Sequence, residues 1–280
     1  MTRPLFCFRF DVDTPRCIAT GVPNLLELAS RKDVKFTFFV NMGRAVAYRN
    51  LLRKGRGREA GVVTKLTSVE KLGLAESLKI ALLNPLVGAA HRGIINDVID
   101  TGHEVGLHGG KNHATWQYGA HTWSTGRMHE EIAWGKKALE DISGSPLRAF
   151  SSPGWNGGPA VNTMLSRLGF RYSADLHGDD YDTIQRCTVS RLAQISTNMS
   201  GEPGGVGFLE WLSASGMDTK TALDYLDARL ERQRFASILY DHPCYAGIHR
   251  IELLAALIDR VRQRGYEITT MSDVLERHGD

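Results

Sequence analysis

Three short segments carry side chains whose types and spacing could do chemistry. The first is Asp11-Val12-Asp13, which directly follows an apolar run. On an extended chain residues two apart share a side, so both carboxylates can face one site, one holding a metal ion and the other acting as a base. The same pair could also cap a solvated turn before Pro15. The second segment reads Gly102-His103-Glu104-Val105-Gly106-Leu107-His108 and reaches His113 through Gly109-Gly110. Imidazoles are the commonest ligands of borderline metals. A spacing of five sets side chains roughly 140° apart on an ideal helix, so shared ligation needs His108 at a strand end, and the glycine pair permits that break. His103, at the preceding turn, reads as a structural histidine. The third segment, Ser237 to Pro243, ends an apolar run in Asp241-His242 with the following proline fixing the backbone. A histidine so placed suits a general acid, although a lone His in a C-terminal strand also reads as packing.

These residues need strands to position them. Leu5 to Asp11 and Lys35 to Val40 are β-rich runs, separated by helical spacing over Val22 to Arg31. The alternation continues with helix Gly93–Thr101, strand Glu104–His108, helix Arg127–Ile142, strand Arg148–Phe150, helix Val161–Leu168 and strand Arg171–Asp175. Next come Val206–Trp211 as a strand, helix Thr219–Arg234, strand Ser237–Asp241, helix Ile251–Arg264 and strand Glu267–Met271. This rhythm predicts an α/β fold whose mainly parallel sheet is open or closed into a barrel. Polar residues collect at the strands' C-terminal ends, where such folds place their sites.

The chain has 280 residues, 42% hydrophobic and 23% charged, the composition of an ordinary globular protein. A net charge of +3 marks no nucleic-acid binder. No apolar run of signal-peptide length opens the chain, because Arg9 and Asp11 interrupt it, and none reaches spanning length. Four scattered cysteines without a Cys-x-x-Cys pair predict reduced thiols in a cytoplasmic protein. One segment breaks the rhythm: Arg44 to Arg92 holds ten Lys/Arg against three Glu, a local +7. Within it, Leu72 to Gly88 is apolar, with Glu76 and Lys79 as its charges. It is too short to span a bilayer but suited to an anionic interface, and packing as a helical hairpin on the core is the alternative.

Taken together, the motifs resemble the polysaccharide deacetylases of the NodB-homology type, carbohydrate esterase family four. Phe10-Asp-Val-Asp-Thr, Gly102-His-Glu-Val-Gly-Leu-His, Ser152-Pro-Gly-Trp and Tyr240-Asp-His-Pro stand in that family's order. Within it the chain looks most like the formamido-arabinose-phosphoundecaprenol deformylases and related polyprenyl-phosphate aminosugar deacetylases. Gly21-Val-Pro-x-Leu-Leu-Glu, Phe36-Thr-Phe-Phe-Val, Asn41-Met-Gly-Arg and Gly169-Phe-Arg-Tyr-Ser-Ala-Asp175 carry that likeness. The resemblance implies a single NodB-type distorted (β/α) barrel over residues 1–280, with a basic, apolar helical insertion at 41–95 after the second strand.

It further implies a divalent metal, Zn²⁺ with Co²⁺ or Mn²⁺ as alternatives, on Asp13, His108 and His113, with Asp11 as general base. His242 would be the general acid, supported by a carboxylate such as Asp175 or Asp241. A backbone N–H near Gly154 or Trp155 would meet the oxyanion. The implied substrate is an N-acetylated or N-formylated aminosugar, lipid-linked, handled at the inner face of the cytoplasmic membrane. Two departures stand out. Asn112 occupies the usual second-histidine position, so either it or His113 ligates, and the proline-loop arginine is missing, with Ser151 and Asn156 in its places. An allantoinase-like amidase, suggested by His242-Pro-x-x-x-Gly247, and a non-catalytic sugar-lipid binder are the rival readings.

Overall fold

The computed structural model describes residues 3–46, 73–178, 183–202, 204–232 and 234–278. Its nine strands are β1 (Leu5–Val12), β2 (Thr37–Val40), β3 (Glu104–His108), β4 (Ala149–Ser151), β5 (Tyr172–Ser173), β6 (Ile184–Arg186), β7 (Ala193–Ile195), β8 (Ala236–Asp241) and β9 (Glu267–Ile268). They form one sheet in the order β6-β7-β5-β4-β3-β2-β1-β8, with β9 also on β1. Every pairing is parallel except β6 with β7.

Beyond β7 the chain returns to β8. Met199 donates to Ile238 O at 3.0 Å and its carbonyl accepts from the Tyr240 N–H at 3.0 Å. This bridge curls the sheet into a distorted barrel, as expected for the NodB type.

Strand parity decides what faces inward. On β1, Phe6, Phe8, Phe10 and Val12 pack under the outer helices, whereas Leu5 and Cys7 join an interior cluster with Phe39, Ala149, Tyr172, Ala236 and Ile238. Arg9 and Asp11 continue that inner row toward the strand's C-terminal end. The helix Met271–His278 plugs the opposite end, placing Met271, Val274 and Leu275 in the interior cluster. Burying each large apolar side chain of these two layers contributes about 1.5–3 kcal/mol.

Most expected elements form within a few residues of their predicted bounds, but Val206–Trp211 is a correction. It is not a strand: the chain forms a helix over Phe208–Ala214. Asp241 at the end of β8 accepts the N–H groups of Leu209 at 2.6 Å and Glu210 at 3.3 Å, satisfying the helix's first donors. The helix His113–Gly119 and strands β6 and β7 were also not foreseen. Of the expected basic insertion, residues 47–72 lie outside the described residues. Its described part includes the helix Leu74–Leu83, which leaves Leu74, Leu78, Leu82 and Leu83 exposed.

Candidate metal and catalytic site

The C-terminal ends of β1, β3, β4 and β8 open into one cavity of about 260 Å³, whose lining includes Asp11, Asp13, His108, His113, Trp155 and His242. Asp13 stands at its centre. His108 Nε2 lies 3.2 Å and His113 Nε2 3.3 Å from Asp13 Oδ1. His242 Nε2 approaches the other carboxylate oxygen, Oδ2, at 3.2 Å. Burial works against the charge on Asp13, yet the facing His113 and His242 hold its carboxyl well below the usual range.

Asp13, His108 and His113 fit a metal ion. Asp13 Oδ1 is buried without a hydrogen bond of good geometry, although two imidazole nitrogens converge on it. One ligand atom from each of the three residues lies within 4.8 Å of the others. Tetrahedral zinc with bonds of about 2.0–2.1 Å sets its ligand atoms roughly 3.3 Å apart, which the two Asp13–His separations match. The His108 ring donates from Nδ1 to the Ser151 carbonyl at 3.1 Å, which fixes the tautomer and turns the Nε2 lone pair toward Asp13.

Position 112 has a different task. Asn112 caps the helix His113–Gly119, accepting the Thr115 N–H at 2.9 Å and donating to Val46 O at 2.9 Å. Both ends of its amide are engaged, and the cap delivers His113, the next residue, to the site.

Asp11 is gripped from its own strand. Arg9 Nε and Nη2 donate to its two oxygens at 3.0 and 2.9 Å, a bidentate pair. The guanidinium also bonds Ala174 O at 2.6 Å, Thr197 Oγ1 at 2.8 Å and Ser151 Oγ. It lies 4.5 Å from the Trp155 ring and 4.9 Å from that of Phe39. Burial alone would favour neutral Arg9, but Asp11 more than reverses this and raises its pKa. Ser151, where the loop arginine is missing, thus accepts from an arginine that arrives from β1.

His242 follows β8. Its Nε2 also meets Tyr240 Oη at 3.0 Å, and its Nδ1 lies 4.0 Å from Glu210 Oε2. Asp241 is turned away as the cap of the Phe208–Ala214 helix, and burial lifts its carboxyl to about 6. Asp175 is paired with Ser152 instead, accepting the backbone N–H at 2.6 Å and the hydroxyl at 3.0 Å. The carboxylates facing His242 are therefore Asp13 and Glu210. Gly154 and Trp155 both adopt left-handed backbone, φ 63° and 59°, at the cavity wall. The Trp155 N–H is engaged with Ser152 O at 3.1 Å. His103 is structural: it accepts the Phe36 N–H at 2.9 Å, and burial lowers its pKa to about 4.

Residues 6–173 match the polysaccharide deacetylase family. The chain belongs to that family. A probable 4-deoxy-4-formamido-L-arabinose-phosphoundecaprenol deformylase of Shewanella sediminis is 31% identical over 172 residues, 61% of this chain. The chain spans 56% of the length of the curated relatives it matches. Among solved structures, one assigned to the polysaccharide deacetylases, from Mycobacterium smegmatis, superposes with a TM-score of 0.66 at 18% identity, covering 99% of this chain and 93% of its own. An allantoinase superposes at 0.64 and 12% identity, covering 97% and 89%. Both structural likenesses bear on the fold.

Sequence reasoning on this deacetylase-family chain missed Arg9 and Glu210. A signal for Arg9 was present: a charge inside an aromatic strand, in phase with Asp11 and Asp13. Glu210 was hidden by the strand expected across it.

Proposed function

We propose that the protein is a metal-dependent hydrolase that removes an N-acyl group, acetyl or formyl, from an aminosugar carried on a polyprenyl phosphate. The observation that carries this reading is the convergence of His108 and His113 on one oxygen of Asp13, with Asp11 and His242 beside it in the same cavity. A divalent ion on Asp13, His108 and His113, zinc or alternatively cobalt or manganese, would polarise the amide carbonyl and lower the pKa of a bound water.

The chain's own residues do the rest. Asp11, immobilised by Arg9, accepts the proton of the attacking water. His242 presents Nε2 to the cavity between Tyr240 and Asp13 and gives its proton to the departing amine. Glu210 faces the far ring nitrogen, where it supports the cationic imidazole. Gly154 and Trp155 form the wall against which the acyl oxygen turns. A cavity of about 260 Å³ suits a single sugar ring, leaving a longer substrate outside.

The lipid linkage is supported by two observations. The curated relative carries a phosphoundecaprenol substrate in its name. The helix Leu74–Leu83 exposes leucines 74, 78 and 82, one stripe at helical spacing, beside the basic run of the sequence. Its C-terminal Asn84 is tied to Val46 by bonds of 3.1 and 2.6 Å, and Asn112 beside His113 bonds the same Val46. Peripheral attachment at the inner membrane face would then hold the site near a lipid headgroup. Among the described residues no helix is long and apolar enough to cross a membrane.

The test is release of formate and acetate from a panel of polyprenyl-phosphate aminosugars and from their soluble sugars, before and after chelation and metal return. Metal-restored release from the lipid-linked forms is expected. Turnover of a cyclic ureide alone would point to an allantoinase-like amidase, and no turnover by metal-loaded protein to a sugar-lipid binder.

A further inference from the structure

Two thiols in the wall of the catalytic cavity take no part in the chemistry above. Cys17 lies four residues after Asp13, and Cys244 two after His242. Their segments leave β1 and β8, neighbours in parallel register with Phe10 opposite Asp241, so both emerge side by side at the same end of the barrel. The π-helical turn Cys17–Gly21 and the short helix Pro243–Ala246 touch backbone to backbone. A Cβ on Gly21 would stand 2.9 Å from Cys244 N and closer still to the Pro243 carbonyl, so there is no slack between them.

This packing sets the two sulfurs within hydrogen-bonding reach of each other, and Thr14 Oγ1 donates to Cys17 Sγ at 3.2 Å. Both residues are buried against protein but line the cavity that holds Asp13 and His242. The other cysteines differ. Cys7 sits in the interior cluster, where burial pushes its thiol well up, and Cys187 packs elsewhere. At Cys17 burial also works against the thiolate, but the hydrogen bond from Cys244, with His242 and Thr14, outweighs burial and the nearby Asp13 and brings the thiol down to about 6. Thiolate character with small-molecule access is what separates a reactive cysteine from an inert one.

We propose that Cys17 and Cys244 form a dithiol site for hydroperoxides, and that its oxidation to a disulfide reversibly arrests the enzyme. The sulfur of Cys17 attacks the peroxide oxygen, the O–O bond breaks, and a sulfenic acid forms as water departs. The Cys244 sulfur then attacks Cys17 Sγ and displaces the hydroxyl, which leaves as a second water with the Cys244 proton. Two thiols and one hydrogen peroxide become one disulfide and two waters. Bonding draws the sulfurs from hydrogen-bonding separation to about 2.05 Å, a closure on the order of 1 Å between the segments that follow Asp13 and His242. Displacement of catalytic groups by that distance costs about 100-fold in rate. The arrest rests on the deacylase reading; formation of the disulfide does not.

The experiment treats the metal-loaded protein with hydrogen peroxide, denatures it, and counts thiols with N-ethylmaleimide beside activity. Four labelled cysteines should become two, with one Cys17–Cys244 cross-linked peptide, and activity should fall at least tenfold and return with dithiothreitol. Cys244→Ser should give no cross-link and instead a Cys17 sulfenic acid that dimedone traps, while Cys17→Ser should give neither. Four labelled thiols after treatment, or a disulfide joining any other pair, overturns the site. A Cys17–Cys244 disulfide with unaltered turnover overturns the arrest. A protein that turns over no aminosugar yet forms the cross-link separates failure of the deacylase reading from failure of the dithiol.

Discussion

Arg9 offers the sharpest test of the site, because it is buried completely and is paired with a nearly buried Asp11. In Arg9→Met the carboxylate loses two charge-assisted donors, at 3.0 and 2.9 Å, while remaining almost wholly buried. Breaking a buried ion pair from one side costs about 3–5 kcal/mol, and at roughly 2–4 °C per kcal/mol for a chain of this size the melting temperature should fall by about 10 °C. Asp11→Asn should cost less, about 1–3 kcal/mol, because Arg9 keeps Ala174 O, Thr197, Ser151 and two aromatic faces.

The double variant Arg9→Met/Asp11→Asn has no buried charge left unpaired, so the two costs should not add. A coupling of about 2 kcal/mol or more is expected from a double-mutant cycle in urea. Turnover reads the positioning role separately. Arg9→Met should lower kcat by about 100-fold through loss of alignment, with metal content unchanged because Asp11 is not among the three proposed ligands. Arg9→Lys keeps the charge but not the planar fork and should fall between the two. Additive stabilities, or an Arg9→Met enzyme within threefold of wild-type kcat, would refute the account of how the base is held.

Four further expectations follow from the geometry. Asp13→Ala, His108→Ala and His113→Ala should each lose most bound metal by elemental analysis, whereas Asp11→Asn and Asn112→Ala should keep it, the latter at a stability cost of about 1 kcal/mol for the lost cap. His242→Ala should lower kcat by about 10²–10⁴-fold while metal content and melting temperature hold; a drop in stability matching the loss of activity would assign the residue to packing. His103 is held neutral in the fold with a pKa of about 4, so the unfolded chain binds the extra proton below pH 6.5 and stability must fall with pH. Between pH 7 and pH 5 this amounts to about 2 kcal/mol, which His103→Asn should remove from the difference between urea titrations at the two values. The protein should co-sediment with anionic vesicles at low salt and be released by salt, and Leu78→Glu/Leu82→Glu should weaken binding tenfold or more; equal binding would remove the Leu74–Leu83 helix from the interface.

Much of this was legible in the chain because strands of period two and helices of period 3.6 write their faces directly into sequence. The aromatic run of β1, the Glu104–His108 segment and the Ala236–Asp241 strand announce themselves, and their ends carry Asp11, Asp13, His108 and His242. What failed to show was set by contacts distant in sequence. Phe208–Ala214 alternates weakly as a short run, and the carboxylate that makes it a helix belongs to Asp241, more than thirty residues on. Asn112 looked like a ligand position because its role as a cap depends on Val46 and on the helix it starts. Asp175 looked like a partner for His242, but β5 delivers it to Ser152.

The same parity explains why this chain manages without an arginine in its proline loop. Arg9 and Asp11 follow each other along the inner row of one strand, so the residue that holds the proposed base is set by the pleat that sets Asp11 itself. A loop arginine must be positioned by its loop; Arg9 inherits its place from pairing of β1 with β2 and β8 along its length. The proline loop is thereby released for another task. Gly154 and Trp155 take left-handed conformations that a loop holding a catalytic arginine would have to reconcile with reaching Asp11, and the indole comes to rest over the guanidinium, bonded to Gly205 O at 3.2 Å. Trp155 thus forms the cavity wall over the guanidinium while Arg9 holds the proposed base from below, and a smaller side chain there should loosen both at once.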